Sequence, residues 1–295
     1  MRFVSIQKNR QITLGINTED GILDVSAALS RLPTAGIPTD PMEVIRMNQQ
    51  EREKLLQFVS RAAQSSEEGW FVKEEEIEFG PCVPKPSKII CVGLNYRKHA
   101  DESNMPYPEV PLLFNKFPNS LTGHKQLVKV PSVTQELDYE VELGMVIGSR
   151  AADVSVEDAL EHVFGYCTAN DLSARDLQMR TSQWMLGKTS DGFCPIGPEL
   201  VTADEIADPQ NLELRTYVNG ELRQNSNTKD MIFTCAEIIS YISKYMTLEP
   251  GDLILTGTPE GVALGMPPEQ RQYLKPGDVV DVEIAGLGRL TNRFV

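Results

Sequence analysis

The run Leu137-Asp138-Tyr139-Glu140-Val141-Glu142-Leu143-Gly144-Met145-Val146-Ile147-Gly148 constrains this chain more than any other stretch. Val141, Leu143, Met145 and Ile147 alternate along it, the pattern of a β-strand with an apolar face. The opposite face then carries Asp138, Glu140 and Glu142 in a row. Side chains two apart on a strand stand roughly 6.5–7 Å from each other. Carboxylates that close, on a strand built for burial, repel one another and lose hydration unless a cation neutralises them. Ligands that are all oxygen suit a hard divalent ion such as Mg2+, Ca2+ or Mn2+. An edge strand with a solvated acidic face explains the same letters, and the fragment alone leaves the two readings even.

A net charge of −14 argues against a nucleic-acid surface and against anionic membrane. An anionic substrate would therefore need a local positive centre, which a bound metal can provide. The longest apolar runs fall far short of a membrane span. The chain opens as a β-strand rather than a signal peptide. Its five cysteines are scattered with no Cys-x-x-Cys pair, which reads as reduced thiols, mostly core, in a cytoplasmic protein.

The first 75 residues read as a small α+β accessory domain. Short strands at 3–6, 12–16 and 22–25 surround an Asp20-Gly21 hairpin signal. A helix starts at Asp40-Pro41-Met42-Glu43, with Asp as N-cap and Pro at the first helical position, and a second follows over 50–63. Residues 76–86, rich in proline, form a stiff linker, and 87–295 the main domain. Within it, Ser155-Val156-Glu157-Asp158 opens a helix ending near Gly165. Thr234-Cys235-Ala236-Glu237 is a capping box opening another, with Cys235, Ile238, Ile239, Ile242, Tyr245 and Met246 as its core-facing stripe. Many strands and few helices predict a β-rich α+β fold, with no βαβ alternation to support a Rossmann sheet.

Three further stretches combine polar groups with permissive glycines. His99 and Glu102 lie three apart, so on a helical turn they can form a hydrogen-bonded dyad, a competent general base near neutral pH. A capping ion pair at a surface helix end is the plainer explanation of that pair. In Asn170-Asp171-Leu172-Ser173-Ala174-Arg175-Asp176, Ser173 and Asp176 resemble a capping box, which leaves Asp171 free as a third metal ligand or as an Asx turn. Lys188 is a lone cation among small residues. Leu255-Thr256-Gly257-Thr258-Pro259-Glu260-Gly261 offers N–H groups and a hydroxyl to an anion, but lacks the ending of a phosphate loop. No Gly-x-Ser-x-Gly elbow supports a serine hydrolase. His124 and His162 read as structural.

Taken in order, these stretches resemble the fumarylacetoacetate hydrolase superfamily over residues of about 85 to 295. They are Cys91-Val92-Gly93-Leu94-Asn95-Tyr96 with His99 and Glu102, Asp138-Tyr139-Glu140-Val141-Glu142-Leu143, Asn170-Asp171-Leu172-Ser173-Ala174-Arg175-Asp176-Leu177-Gln178, and Gly257-Thr258-Pro259-Glu260-Gly261-Val262. The likeness is to the smaller bacterial and mitochondrial branch of acylpyruvases, oxaloacetate decarboxylases and dienedioate isomerases. It implies a mixed β-sandwich roll, a homodimer, and an Mg2+-type ion, with Mn2+ or Ca2+ as substitutes, on Glu140, Glu142 and Asp171. It further implies His99, Glu102 and Lys188 as catalytic groups, the first two on a lid running through 103–108. Arg175, Gln178, Gly257 and Thr258 fall to substrate binding.

The expected partner is a small anionic 2-oxo acid. The leading functional reading is a metal-dependent hydrolase that cleaves a carbon–carbon bond in an acylpyruvate-like 2,4-dioxo acid. Oxaloacetate decarboxylation and isomerisation of an unsaturated dioxo acid use the same electron sink and stand beside it. A metabolite-binding regulator without catalysis and a Ser or Cys nucleophile are the remaining readings. The distal end of the substrate is expected to meet the lid and residues 116–120, with Phe117 and Trp184 as apolar walls.

Overall fold

The computed structural model describes residues 1–9, 11–65 and 69–295. A mixed twelve-stranded sheet dominates. From Arg2–Lys8 it runs through Cys194–Thr202, Val163–Asn170, Val141–Ile147, Leu253–Leu255 and Ile89–Gly93 to the edge strand Leu112–Lys116. A second sheet of five strands is built from Glu213–Val218, Glu221–Asn227, Val279–Ile284, Gly288–Phe294 and Leu127–Val128. This is the β-rich α+β arrangement expected.

Two cores lie on the two faces of the large sheet. Val141, Leu143, Met145 and Ile147 share one with Leu214, Val280, Val282 and Leu290 of the second sheet. On the other face Val146, Phe164, Cys167 and Ala169 meet Ile45, Leu55, Phe58 and Trp70 of the leading segment. The acidic strand is therefore central and buried on both faces, which removes the solvated-edge reading. Its carboxylates are inside, and their charges need partners.

The leading segment extends the same sheet. Arg2–Lys8 pairs antiparallel with Cys194–Thr202, and the Arg2 guanidinium reaches Glu199 at 2.9 Å. The Asp40 carboxylate accepts from Met42 N with Pro41 at the helix start. Asn48 caps the longer helix, Gln49–Ala63.

Three local expectations need correction. No α-helix spans 155–165. Ser155 closes only a turn on Asp158 N, at 3.2 Å, and a short 3-10 turn at Ala159–His162 gives way to the strand Val163–Asn170. That stretch is paired on both sides, so sheet pairing overrides the helical start. The Thr234–Glu237 capping box forms, but its helix ends at Ser243, leaving Tyr245 and Met246 exposed. Ser173 and Asp176 make no capping box. Ser173 Oγ donates to Asp171 O at 2.8 Å, and Asp176 accepts from Thr134 Oγ1 and from Gln135 N at 3.1 Å.

Candidate active site

Strand register assembles the acidic cluster. Val141 pairs with Asn170 and Glu142 with Ala169, so the residues one step beyond, Glu140 and Asp171, face each other. Glu140 N donates to Asn170 Oδ1 at 3.0 Å, and Asp171 N donates to Glu140 O at 2.9 Å. One oxygen each from Glu140, Glu142 and Asp171 then lies within 4.8 Å of the others, all three residues being buried.

Three cations are buried with them. Lys188 Nζ donates to Glu140 at 2.7 Å and to Asp171 at 2.9 Å. Arg175 spans Asp138 at 2.9 Å and Glu140 at 2.7 Å, and donates to Gln178 Oε1 at 3.0 Å. Lys116 Nζ closes on Asp171 Oδ1 and also reaches Leu172 O at 3.2 Å. Asp138 is a clip rather than a ligand: besides Arg175 it accepts from Ala263 N at 2.9 Å and Leu264 N at 3.0 Å. The acidic strand is thereby tied to the segment that follows the glycine loop.

These contacts sort the carboxylates. Burial alone would raise the Glu140 pKa, but Arg175 and Lys188 outweigh it and bring it down to about 2. Burial would lower the Lys188 pKa, yet Asp171 and Glu140 hold the ammonium above its ordinary value, so it stays charged. Glu142 is the odd member. It has no ion pair among the described residues; its Oε2 accepts from Gly257 N at 2.8 Å. Burial, then the charges of Asp171 and Glu140, push its pKa well above the usual carboxylate range. Asp138, Glu140, Glu142 and Asp171 thus outnumber Lys116, Arg175 and Lys188 by one charge. Oxygen donors with one uncompensated carboxylate fit a hard divalent cation.

The dyad closes over this cluster. His99 Nδ1 and Glu102 Oε1 are 2.7 Å apart on the helix Arg97–Glu102. Glu102 Oε2 accepts from Gly261 N at 2.9 Å. Asn95 anchors the start of the lid, its amide donating to Thr256 O at 2.7 Å and its carbonyl accepting from Phe233 N at 2.8 Å. Arg97 donates to Met231 O at 2.6 Å. His99 Nε2 has no partner among the described residues, and the ring lines the same cavity as Glu140.

Between lid and cluster is a cavity of about 560 Å³. His99, Glu102, Glu140, Glu142, Arg175, Gln178, Lys188 and Thr258 all line it. Asp171 sits just behind, fully buried. Thr258 Oγ1 accepts from Gln224 Nε2 at 2.9 Å, whose Oε1 in turn accepts from Val141 N at 3.0 Å. Phe114 and Trp184 form an apolar wall, edge to face at 5.3 Å. Gly93 makes room for the indole: a β-carbon there would sit 2.6 Å from it.

None of residues 116–120 lines this cavity. Lys116 turns to Asp171, Asn119 holds Thr189 O at 2.9 Å, and Phe117 lies outside the cavity, exposed. The roles of Lys116, Asp138 and Gln224 were missed. Each is a polar side chain in an otherwise strand-like segment, a signal that burial makes meaningful only after the sheets are assembled.

Known proteins resemble this chain in sequence and in fold. The family described as Fumarylacetoacetate (FAA) hydrolase C-terminal matches residues 88–295. The chain is 42% identical to oxaloacetate tautomerase fahd2, mitochondrial, of Xenopus laevis, over 100% of its own length and 90% of the relative's. Among solved structures, a fumarylacetoacetate hydrolase from psychrophilic Exiguobacterium antarcticum is 35% identical with a TM-score of 0.79, covering 100% of this chain and 99% of that one. Fumarylpyruvate hydrolase from Pseudomonas aeruginosa, solved with Mn2+ and pyruvate, is 36% identical with a TM-score of 0.66, covering 74% of this chain and 91% of that one.

Proposed function

The chain belongs to the fumarylacetoacetate hydrolase family, and from that premise we propose that it is an enzyme interconverting the enol and keto forms of an oxaloacetate-type 2-oxo acid. The observation that carries this reading is the placement of His99. Its Nδ1 is fixed by Glu102 while Nε2 is free, in the cavity lined by Glu140 and Glu142. Keto–enol exchange needs a single mobile proton beside an electron sink. No positioned second nucleophile is required.

Glu140, Glu142 and Asp171 would hold a divalent ion, Mg2+ or Mn2+, which when bound withdraws electrons from the 2-keto group and acidifies the neighbouring C–H. Glu102 accepts a hydrogen bond from Nδ1–H, so the tautomer it favours leaves Nε2 as base. His99 takes the proton from C3, the C–H electron pair becomes the C2=C3 bond, and the proton is delivered to the C2 oxygen. Lys188 stays cationic and keeps the field positive where that oxygen gains charge. Gln178 and Thr258 offer polar side chains for the carboxylate end, and Arg175 holds Glu140 and Gln178 in place. Gly257 turns its N–H to Glu142, so its role is to orient a ligand rather than to touch substrate.

Carbon–carbon hydrolysis remains the second reading, favoured by the volume of the cavity and its Phe114–Trp184 wall, which leave space beyond a four-carbon acid. There His99 would activate water against a distal carbonyl. We further propose a homodimer, on the exposed Met179, Met185 and Leu186 of one short segment. A reducing compartment such as the cytoplasm suits five free, buried thiols. The catalytic unit is proposed as 87–295, since every site residue lies there.

The test is an assay of Mn2+-loaded protein on enol oxaloacetate, fumarylpyruvate and acetylpyruvate. Rapid loss of enol with total oxaloacetate conserved supports the tautomerase. Pyruvate with fumarate or acetate selects the hydrolase, and CO2 from oxaloacetate the decarboxylase. Enol decay no faster than with free Mn2+ overturns the proposal.

A further inference from the structure

We propose that Arg271 binds the distal carboxylate of the substrate, so that the cavity selects dicarboxylic over monocarboxylic 2-oxo acids. This assignment rests on the 2-oxo acid reading above and adds to it the class of acid accepted.

Arg271 lines the cavity beside Met266, Pro267 and Pro268. It is half-buried, and its Nε donates to Met266 O at 3.0 Å, which ties the guanidinium to the backbone. Its one further polar neighbour among the described residues is the Tyr273 hydroxyl, which carries no charge to neutralise it. No carboxylate lies within ion-pair distance of it among the described residues. The other two cations of the lining are committed. Arg175 is held by Asp138 and Glu140, and Lys188 by Glu140 and Asp171. The carboxylates of the lining are equally committed: Glu102 to His99 and Gly261, Glu140 to Arg175 and Lys188, and Glu142 to Gly257.

Charge counting leads to the same residue. The buried cluster carries one net negative charge with all four carboxylates ionised, so a divalent cation leaves one positive charge. A single substrate carboxylate satisfies it. A second substrate carboxylate would be stranded in the cavity unless another cation met it, and among the described residues Arg271 is the one cation of the lining without a carboxylate partner. A guanidinium is suited to that task because its fork matches a carboxylate in two parallel hydrogen bonds. The apolar groups beside it, Leu264, Met266 and Pro267, thin the water and strengthen the pair.

The experiment compares oxaloacetate with its 4-methyl ester, which keeps the 2-oxo acid end and lacks the distal charge. Binding to the Mn2+-loaded protein is followed by fluorescence of Trp184, which lines the cavity, alongside kcat/KM for enol–keto exchange. The expected result is a wild-type preference for the diacid that Arg271→Gln lowers by roughly 10–100-fold, the worth of a charge-assisted hydrogen bond. The ester should bind unchanged, and Arg271→Lys should recover part of the preference. Because the ratio is read within each variant, a smaller folded fraction cancels. Equal loss on both ligands, or no loss on either, overturns the assignment. A binding preference that follows Arg271 without any turnover refutes the tautomerase and leaves Arg271 in place. Turnover with a preference indifferent to Arg271 does the reverse.

Discussion

Glu102 and Gly265 share one space: a β-carbon built on Gly265 would lie 2.4 Å from the Glu102 carboxyl carbon. That carboxylate cannot step aside, because it is held by both His99 and Gly261 N. Gly265→Ala should therefore push the lid off the site and loosen the dyad. Overpacking of this kind costs about 1–3 kcal/mol, so kcat should fall roughly 5- to 150-fold. Metal affinity should barely change, since no ligand is touched. A wild-type kcat in the variant would show that the lid closes by another route.

Glu142 gives the metal site its pH dependence. Burial, Asp171 and Glu140 raise its pKa, so without metal the proton is held above the ordinary carboxylate range. An incoming ion must displace that proton, and affinity should rise with pH until Glu142 ionises unaided. The sign for stability follows. A raised folded pKa means that the metal-free fold loses stability as pH climbs from the unfolded Glu value through the folded one. The gain in Tm on adding Mn2+ should consequently grow over that range. Calorimetry in buffers of different ionisation enthalpy would count the released proton, and a count of zero at mildly acid pH would remove Glu142 from the ligand set.

Lys116 and Asp171 form an ion pair with both side chains 0% exposed. Lys116→Met leaves part of the Asp171 charge uncompensated, and breaking a buried pair in this way costs about 3–5 kcal/mol. Urea denaturation in EDTA should show that loss. Saturating Mn2+ should return part of it, because the ion supplies the charge the lysine gave. An identical deficit with and without metal would separate Lys116 from the site's electrostatics.

His99 contributes a proton path rather than a ligand. His99→Ala should leave Mn2+ affinity near wild type and lower kcat by roughly 10²–10⁴. An unchanged kcat would take the dyad out of the reaction.

The acidic triad was legible in its spacing, but the letters alone left a solvated edge and an Asx turn open, and the resemblance decided between them. A two-residue spacing on one strand and an Asp just past its partner strand place three oxygens together, and motif order supplies the rest. The dyad was legible for the same reason, since i and i+3 share a helical face. What was not legible depends on contacts far apart in the chain. Lys116 meets Asp171 across 55 positions, and Asp138 meets Ala263 across 125. The helix expected at 155–165 was lost to strand pairing, whose partners at 141–147 and 194–202 no local cap can reveal. Arg271 sits in a loop without period or motif. What marks it is that no carboxylate among the described residues pairs with it, and that shows only in the folded chain.

The Asp138 clip separates two properties of the protein. Arg175 and the backbone at 263–264 share one carboxylate, so the charged centre is anchored to the root of the 266–271 loop and not to its tip. Under the proposed assignment of Arg271, substitutions in 266–271 should change which acid is admitted while the buried cluster keeps its charge balance. On that proposal reaction and diet would be held by different parts of the chain, and a descendant could exchange the second without renegotiating the first.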